Sequence, residues 1–217
     1  TTVLFNGTSQ QYIDGTASSF NRLNIDNPSG MHVLAPLTLG SSMFGGGLTL
    51  TTGIVNTSAA NLLTLAGGTT GASNSSFVDG PIATIGNGSF TFPVGKTNCG
   101  PSGTVSGYAP IMISNFTGGA GSDQYTAEYK RGDALSLGTN ASGADHISRC
   151  DYWTLTRDIG SSTVDITLYW DETINNCVTT APYINNLPSL TVVHSNNPGN
   201  WDAMGSIGGF GSAAIGN

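Results

Sequence analysis

Charge is scarce in this chain of 217 residues, with six Lys and Arg against thirteen Asp and Glu, a formal net charge of −7. So few basic residues cannot form the patch that neutralises phosphates, which excludes a nucleic-acid partner. Long hydrophobic runs are missing as well. No stretch of about 18 apolar residues is present, which excludes insertion into a membrane as a spanning helix. The N-terminus has neither the basic nor the apolar region of a signal peptide, so the chain reads as already processed or as a piece of something larger. Cysteine is limited to Cys99, Cys150 and Cys177, no Cys-x-x-Cys spacing occurs, and His32, His146 and His194 stand far apart, which speaks against a zinc site.

What is abundant is Gly, at 31 residues, together with Thr, Ser and Asn, which favour extended structure and turns over helix. The expectation is an all-β chain with no helix. Few Lys and Glu, many Thr and Asn, and an acidic balance fit a setting outside the cell or on its surface.

Residues 1–85 carry a loose repeat in which two apolar residues flank a polar one and a turn residue follows. Leu23-Asn24-Ile25, Leu37-Thr38-Leu39, Leu48-Thr49-Leu50 and Leu63-Thr64-Leu65 are its copies, at steps of 14, 11 and 15 residues. Short strands at such spacing predict a short β-solenoid-like module whose rungs bury an inward row, with an irregular antiparallel sandwich giving a similar pattern. From residue 86 the strands are longer and better separated. Phe90-Thr91-Phe92-Pro93-Val94 is followed by runs at 109–113, 124–129, 148–157, 163–170 and 190–194, which predict an immunoglobulin-like β-sandwich over 86–217. Pro93 and Pro110 cannot donate to a ladder and are expected at strand edges or ends.

Three cysteines allow one disulfide in any of three pairings, or three buried thiols. A hairpin through Asp158-Ile159-Gly160-Ser161-Ser162 would join the aromatic runs around Tyr152-Trp153 and Tyr169-Trp170 and bring Cys150 near Cys177, which favours that pairing.

Taken in order, Phe5-Asn6-Gly7-Thr8-Ser9-Gln10, Phe20 to Asn27, Leu48 to Val55, Phe77-Val78-Asp79-Gly80-Pro81, Phe92-Pro93-Val94-Gly95-Lys96, Cys150-Asp151-Tyr152-Trp153 and Leu168-Tyr169-Trp170-Asp171 cover almost the whole chain. The chain resembles the repetitive modules of large secreted Bacteroidetes surface proteins, of the gliding and adhesion type exported by type IX secretion. That resemblance implies a structural or adhesive role, no enzymatic activity, and a Cys150–Cys177 bond. Such modules usually continue past a stretch like Trp201-Asp202-Ala203-Met204-Gly205 into one further apolar strand, whereas here a Gly-rich stretch follows. The sandwich is therefore expected to lack its last strand and to leave an open edge. Thr1, Thr2, Val3, Leu4 and Phe5, alternating and free of Pro, are the candidate donated strand for a neighbouring copy or adjacent module. A chain cut short at this point would leave the same edge.

Other motifs carry weaker chemistry. Oxygen-rich loops around Asp123, Asp145 and Asp171 offer calcium ligands, without EF-hand spacing; no other cofactor is implied. Asp165, Asp171 and Glu172 are close in sequence, but no partnered nucleophile accompanies them, and a polar strand end explains them. Trp153 and Trp170 belong to alternating runs and are expected in the core. Trp201, flanked by Pro198, Gly199 and Asn200, is the candidate ligand contact of the alternative reading, a carbohydrate-binding module for surface glycans. Arg131-Gly132-Asp133 reads as a turn. The unequal steps between Thr-bearing copies argue against an aligned, ice-binding Thr ladder.

Overall fold

The computed structural model describes residues 2–40, 47–99, 105–119, 121–171, 184, 186–195, 199–205, 208–211 and 215–217. The chain is all-β, with about four turns of β-solenoid and only two single 3-10 turns, at Ala134–Leu137 and Leu187–Ser189, among the described residues.

The first coil consists of β1 (Thr2–Asn6), β2 (Gln11–Ile13) and β3 (Ser18–Phe20), and the second of β4 (Arg22–Asp26), β5 (Met31–Val33) and β6 (Leu37–Leu39). The third holds β7 (Gly47–Thr52), β8 (Val55–Asn56) and β9 (Leu63–Leu65), and the fourth β10 (Thr69–Thr70), β11 (Val78–Asp79) and β12 (Ile82–Ile85). Like strands stack in parallel on three faces: β1-β4-β7-β10, β2-β5-β8-β11 and β3-β6-β9-β12. Period-2 alternation turns every second side chain inward. Leu23, Ile25, Leu37, Leu39, Leu48, Leu50, Leu63 and Leu65 are accordingly 0–1% exposed. Each such burial contributes about 1.5–3 kcal/mol.

The corner between β4 and β5 shows how coils are locked together. Asn27 is fully buried; its Nδ2 donates to the Ser9 carbonyl at 2.7 Å and to Gln11 Oε1 at 2.9 Å, while its backbone N–H donates to Thr52 O at 3.1 Å. One side chain thus satisfies polar groups of the coil before it, and its backbone those of the coil after it. Gly53, at φ 95°, passes so close to the Asn27 carbonyl that a Cβ would collide with it.

The solenoid does not stop at residue 85. β13 (Phe90–Phe92) is followed directly by β14 (Val94–Cys99), which pairs in parallel with β11. Chain direction then reverses. β15 (Val105–Tyr108) returns against β14, β16 (Ile111–Thr117) against β13, and β17 (Gln124–Arg131) against β12. β18 (Gly138–Ser142) is followed by β19 (Asp151–Ile159), which extends the third face beside β17, and by β20 (Thr163–Leu168), which pairs with β16. The segment expected as a separate immunoglobulin-like sandwich is therefore a two-layered antiparallel extension, continuous with the solenoid's own sheets. Its reason is register: Ile82 to Ile85 present a free ladder edge that Gln124 to Ala127 complete, so one sheet of six strands runs through the expected boundary. Phe92, Ile111, Ile113, Tyr125, Ala127 and Tyr129 join the solenoid leucines in a single core. Pro93 and Pro110 lie between strands, as expected.

The aromatic runs do not form a hairpin with each other, since β19 belongs to one layer and β20 to the other. The intervening turn crosses between layers because Ser162 is held there: its N–H donates to Asp123 Oδ2, and its carbonyl accepts from Tyr125 Oη and Arg157 Nη1. The C-terminal segment is not strandless either. β21 (Trp170–Asp171) pairs antiparallel with β24 (Ile215–Gly216), while β22 (Val193–Ser195) and β23 (Gly199–Ala203) form a small sheet with β18.

Candidate functional site

The two ends of the solenoid are unlike. At the late end antiparallel strands cover the core, whereas β1, β2 and β3 are each the terminal strand of their sheet among the described residues. The inward row records the difference. Val3, Phe5 and Phe20 are only half-buried, while their register partners Leu23, Ile25 and Leu39 are 0–1% exposed. These edges carry none of the Lys, Arg or Pro that usually blunts a free strand, and Leu4 stands 51% exposed on β1.

The second face presents an outward row across four coils, Tyr12, His32, Asn56 and Asp79, each in register with the next. Tyr12 Oη donates to Gln10 Oε1 at 2.9 Å, Gln10 Nε2 lies 2.6 Å from His32 Nε2, and the Tyr12 and His32 rings are 5.7 Å apart. Asp79 is buried. Its Oδ1 receives Lys96 Nζ at 2.6 Å, and its Oδ2 receives the backbone N–H and the hydroxyl of Thr97. An open groove of about 350 Å³ runs beside this row, lined among others by Gln10, Ser29, His32, Asn56, Thr97 and Asn98.

The residues singled out from sequence do not converge. Thr2 to Phe5 are paired along their length with β4, so the candidate donated strand is the first rung of its own solenoid; Thr1 lies outside the described residues. Trp201 is 7% exposed, because β23 sits between β18 and β22, and its Nε1 donates to Gly138 O at 3.1 Å; it packs with Ala134 and Ile147 and offers no surface contact. Trp153 packs against the main core and donates from Nε1 to Ala109 O at 2.8 Å. Asp123 is buried and accepts the Ser162 amide, Asp145 is fully exposed beside His146, and Asp171 lies in β21. These three do not form one calcium centre: among the described residues no group of three or more His, Cys, Asp or Glu is gathered to hold a metal ion. Cys150 is buried, with Arg131 Nη1 3.9 Å from its Sγ, and Cys177 lies outside the described residues.

Arg131-Gly132-Asp133 closes β17 and opens a 3-10 turn. The Asp133 carboxylate caps that turn through the Leu135 N–H, which holds its pKa below the usual value, with Arg149 adding to the effect. Tyr129 donates from Oη to Asp151 Oδ2 at 2.8 Å, and burial first, then the Asp151 charge, pushes its phenol far above the usual value.

No family model, curated protein or solved structure matches the chain. No helix among the described residues is long and apolar enough to cross a membrane.

Sequence reasoning missed the second face. Met31-His32-Val33 and Val55-Asn56 carry the same apolar-polar alternation as the Leu copies, and that signal would have found the row.

Proposed function

We propose that this chain is a non-enzymatic structural or adhesive module of an extracellular surface protein, extended through its first coil by strands from another copy or an adjacent module. The observation that carries this reading is the half-covered inward row of Val3, Phe5 and Phe20 beneath three unblunted strand edges. A further coil would complete their burial and pair the backbone groups that the edges leave unpaired. The extracellular setting rests on the composition and on the resemblance to secreted surface modules. In this reading the two-layered part, expected from sequence to be immunoglobulin-like, closes the far end of the solenoid. A Cys150–Cys177 bond belongs to the same proposal; the bonded state of the Cys150 sulfur and its burial support it.

Contact between two copies at this end alone would be isologous and would close as a dimer, so a filament needs a second contact elsewhere. Sedimentation velocity of the full chain over a range of concentrations, with electron microscopy of the same samples, tests the reading. Dimers or longer assemblies that Leu4→Lys abolishes are expected. Single particles at every concentration, in wild type and variant alike, would rule out assembly between copies through the first coil.

A further inference from the structure

We infer that the groove on the second face is a binding site for a neutral polysaccharide, laid across the strands along the solenoid axis. This inference is independent of what adds to the first coil.

The shape comes from the fold. Parallel strands repeat every ~4.7–4.9 Å, so the row Tyr12, His32, Asn56 presents one functional group per coil at the spacing of the ladder. A groove along such a row is open at the surface and elongated, which suits a chain molecule better than a compact one. Its lining supplies amides and hydroxyls from Gln10, Asn56, Asn98, Ser29 and Thr97, groups that both donate and accept, as sugar hydroxyls do.

Charge narrows the ligand class. No Asp, Glu, Lys or Arg lines the groove. The charges nearest it in the row, Asp79 and Lys96, are paired with each other, and both Asp79 oxygens are already engaged. An anionic glycan would find no free cation here and would meet a chain of net charge −7.

The aromatic element is Tyr12. It is 54% exposed at the end of the row, with its hydroxyl tied to Gln10 and its ring tilted at 42° against His32. A large ring held in place while its surface stays open is a platform on which a pyranose can stack at little ordering cost. Gln10 positions both partners, receiving the Tyr12 hydroxyl and contacting the His32 ring.

The test uses the full chain in affinity electrophoresis and titration calorimetry against four probes: xyloglucan, laminarin and mannan as neutral polysaccharides, and alginate as an anionic one. Saturable binding to at least one neutral probe is expected, with affinity reduced tenfold or more by Tyr12→Ala and several-fold by Asn56→Ala, at unchanged circular dichroism. Because both side chains reach the surface, their loss is not expected to unfold the coils; Tyr12→Phe, which keeps the ring, should retain most of the binding. Binding to none of the neutral probes, binding to alginate alone, or affinity unchanged in both alanine variants would each overturn the assignment. Sedimentation at the same concentrations separates the two proposals, since a monomer that binds supports the groove and leaves the first-coil reading without support.

Discussion

The backbone N–H of Ser162 donates to Asp123 Oδ2 at 2.8 Å, pinning the turn that leads from β19 to β20 onto the start of β17 across 39 residues of sequence. Both residues are buried, so nothing in solvent replaces the bond once it is lost. Asp123→Ala is expected to lower stability by about 1–3 kcal/mol, the cost of leaving a buried donor unsatisfied. Urea denaturation of the variant measures it, and an unchanged midpoint would show that the crossing turn is held by other means.

Gly53→Ala should be more damaging than a helix or strand propensity change alone. The residue sits at φ 95°, and its Cβ would collide with the Asn27 carbonyl at the corner where two coils meet. Strain at a left-handed position costs about 1–3 kcal/mol before the backbone displacement is added. A thermal melt shifted by several degrees is expected. Gly15→Ala makes a useful comparison, because its φ of 109° is also left-handed but a Cβ there meets nothing.

Tyr129 makes stability fall in alkali. Its phenol pKa is raised in the folded chain above the ordinary 10.0, so the stabilisation is complete below that value and is lost as the unfolded state ionises above it. Phenolate absorbance during an alkaline titration should show one tyrosine that ionises only with unfolding. In Tyr129→Phe the fall of stability above pH of about 10 should be shallower.

Trp201→Ala is expected to cost about 3–5 kcal/mol, as for a buried aromatic, by emptying the small cluster with Ala134 and Ile147. The same variant should bind polysaccharide as the wild type does wherever the fold survives. Calorimetry at low temperature checks both, and loss of binding with an intact melt would return Trp201 to the surface role read from its neighbours Pro198, Gly199 and Asn200.

The solenoid was legible because its inward residues alternate, but its geometry was not, since the Leu copies lie on two faces. Leu23 and Leu48 stack on one face, 25 residues apart, and Leu37 and Leu63 on another, 26 apart. Unequal steps of 14, 11 and 15 therefore hide a nearly constant coil, and Thr38 does align with Thr64, as Thr49 does with Thr70. Alternation reports which side of a strand is buried and says nothing about its partner. For that reason β17 and β19 read as sandwich strands although their partners lie in the fourth coil, and Trp201 read as exposed although β18, 60 residues away, covers it. The groove depends on residues from four coils that no local window contains.

The half-covered first coil implies a gradient in time as well as in space. Each coil is held by its neighbours, and β1, β2 and β3 have neighbours on one side only among the described residues. Opening should start there and move inward, so amide protons of Val3, Tyr12 and Ser19 should exchange with deuterium first, those of Leu23 and Val33 later, and those of Ile82 and Ala127 only with global unfolding.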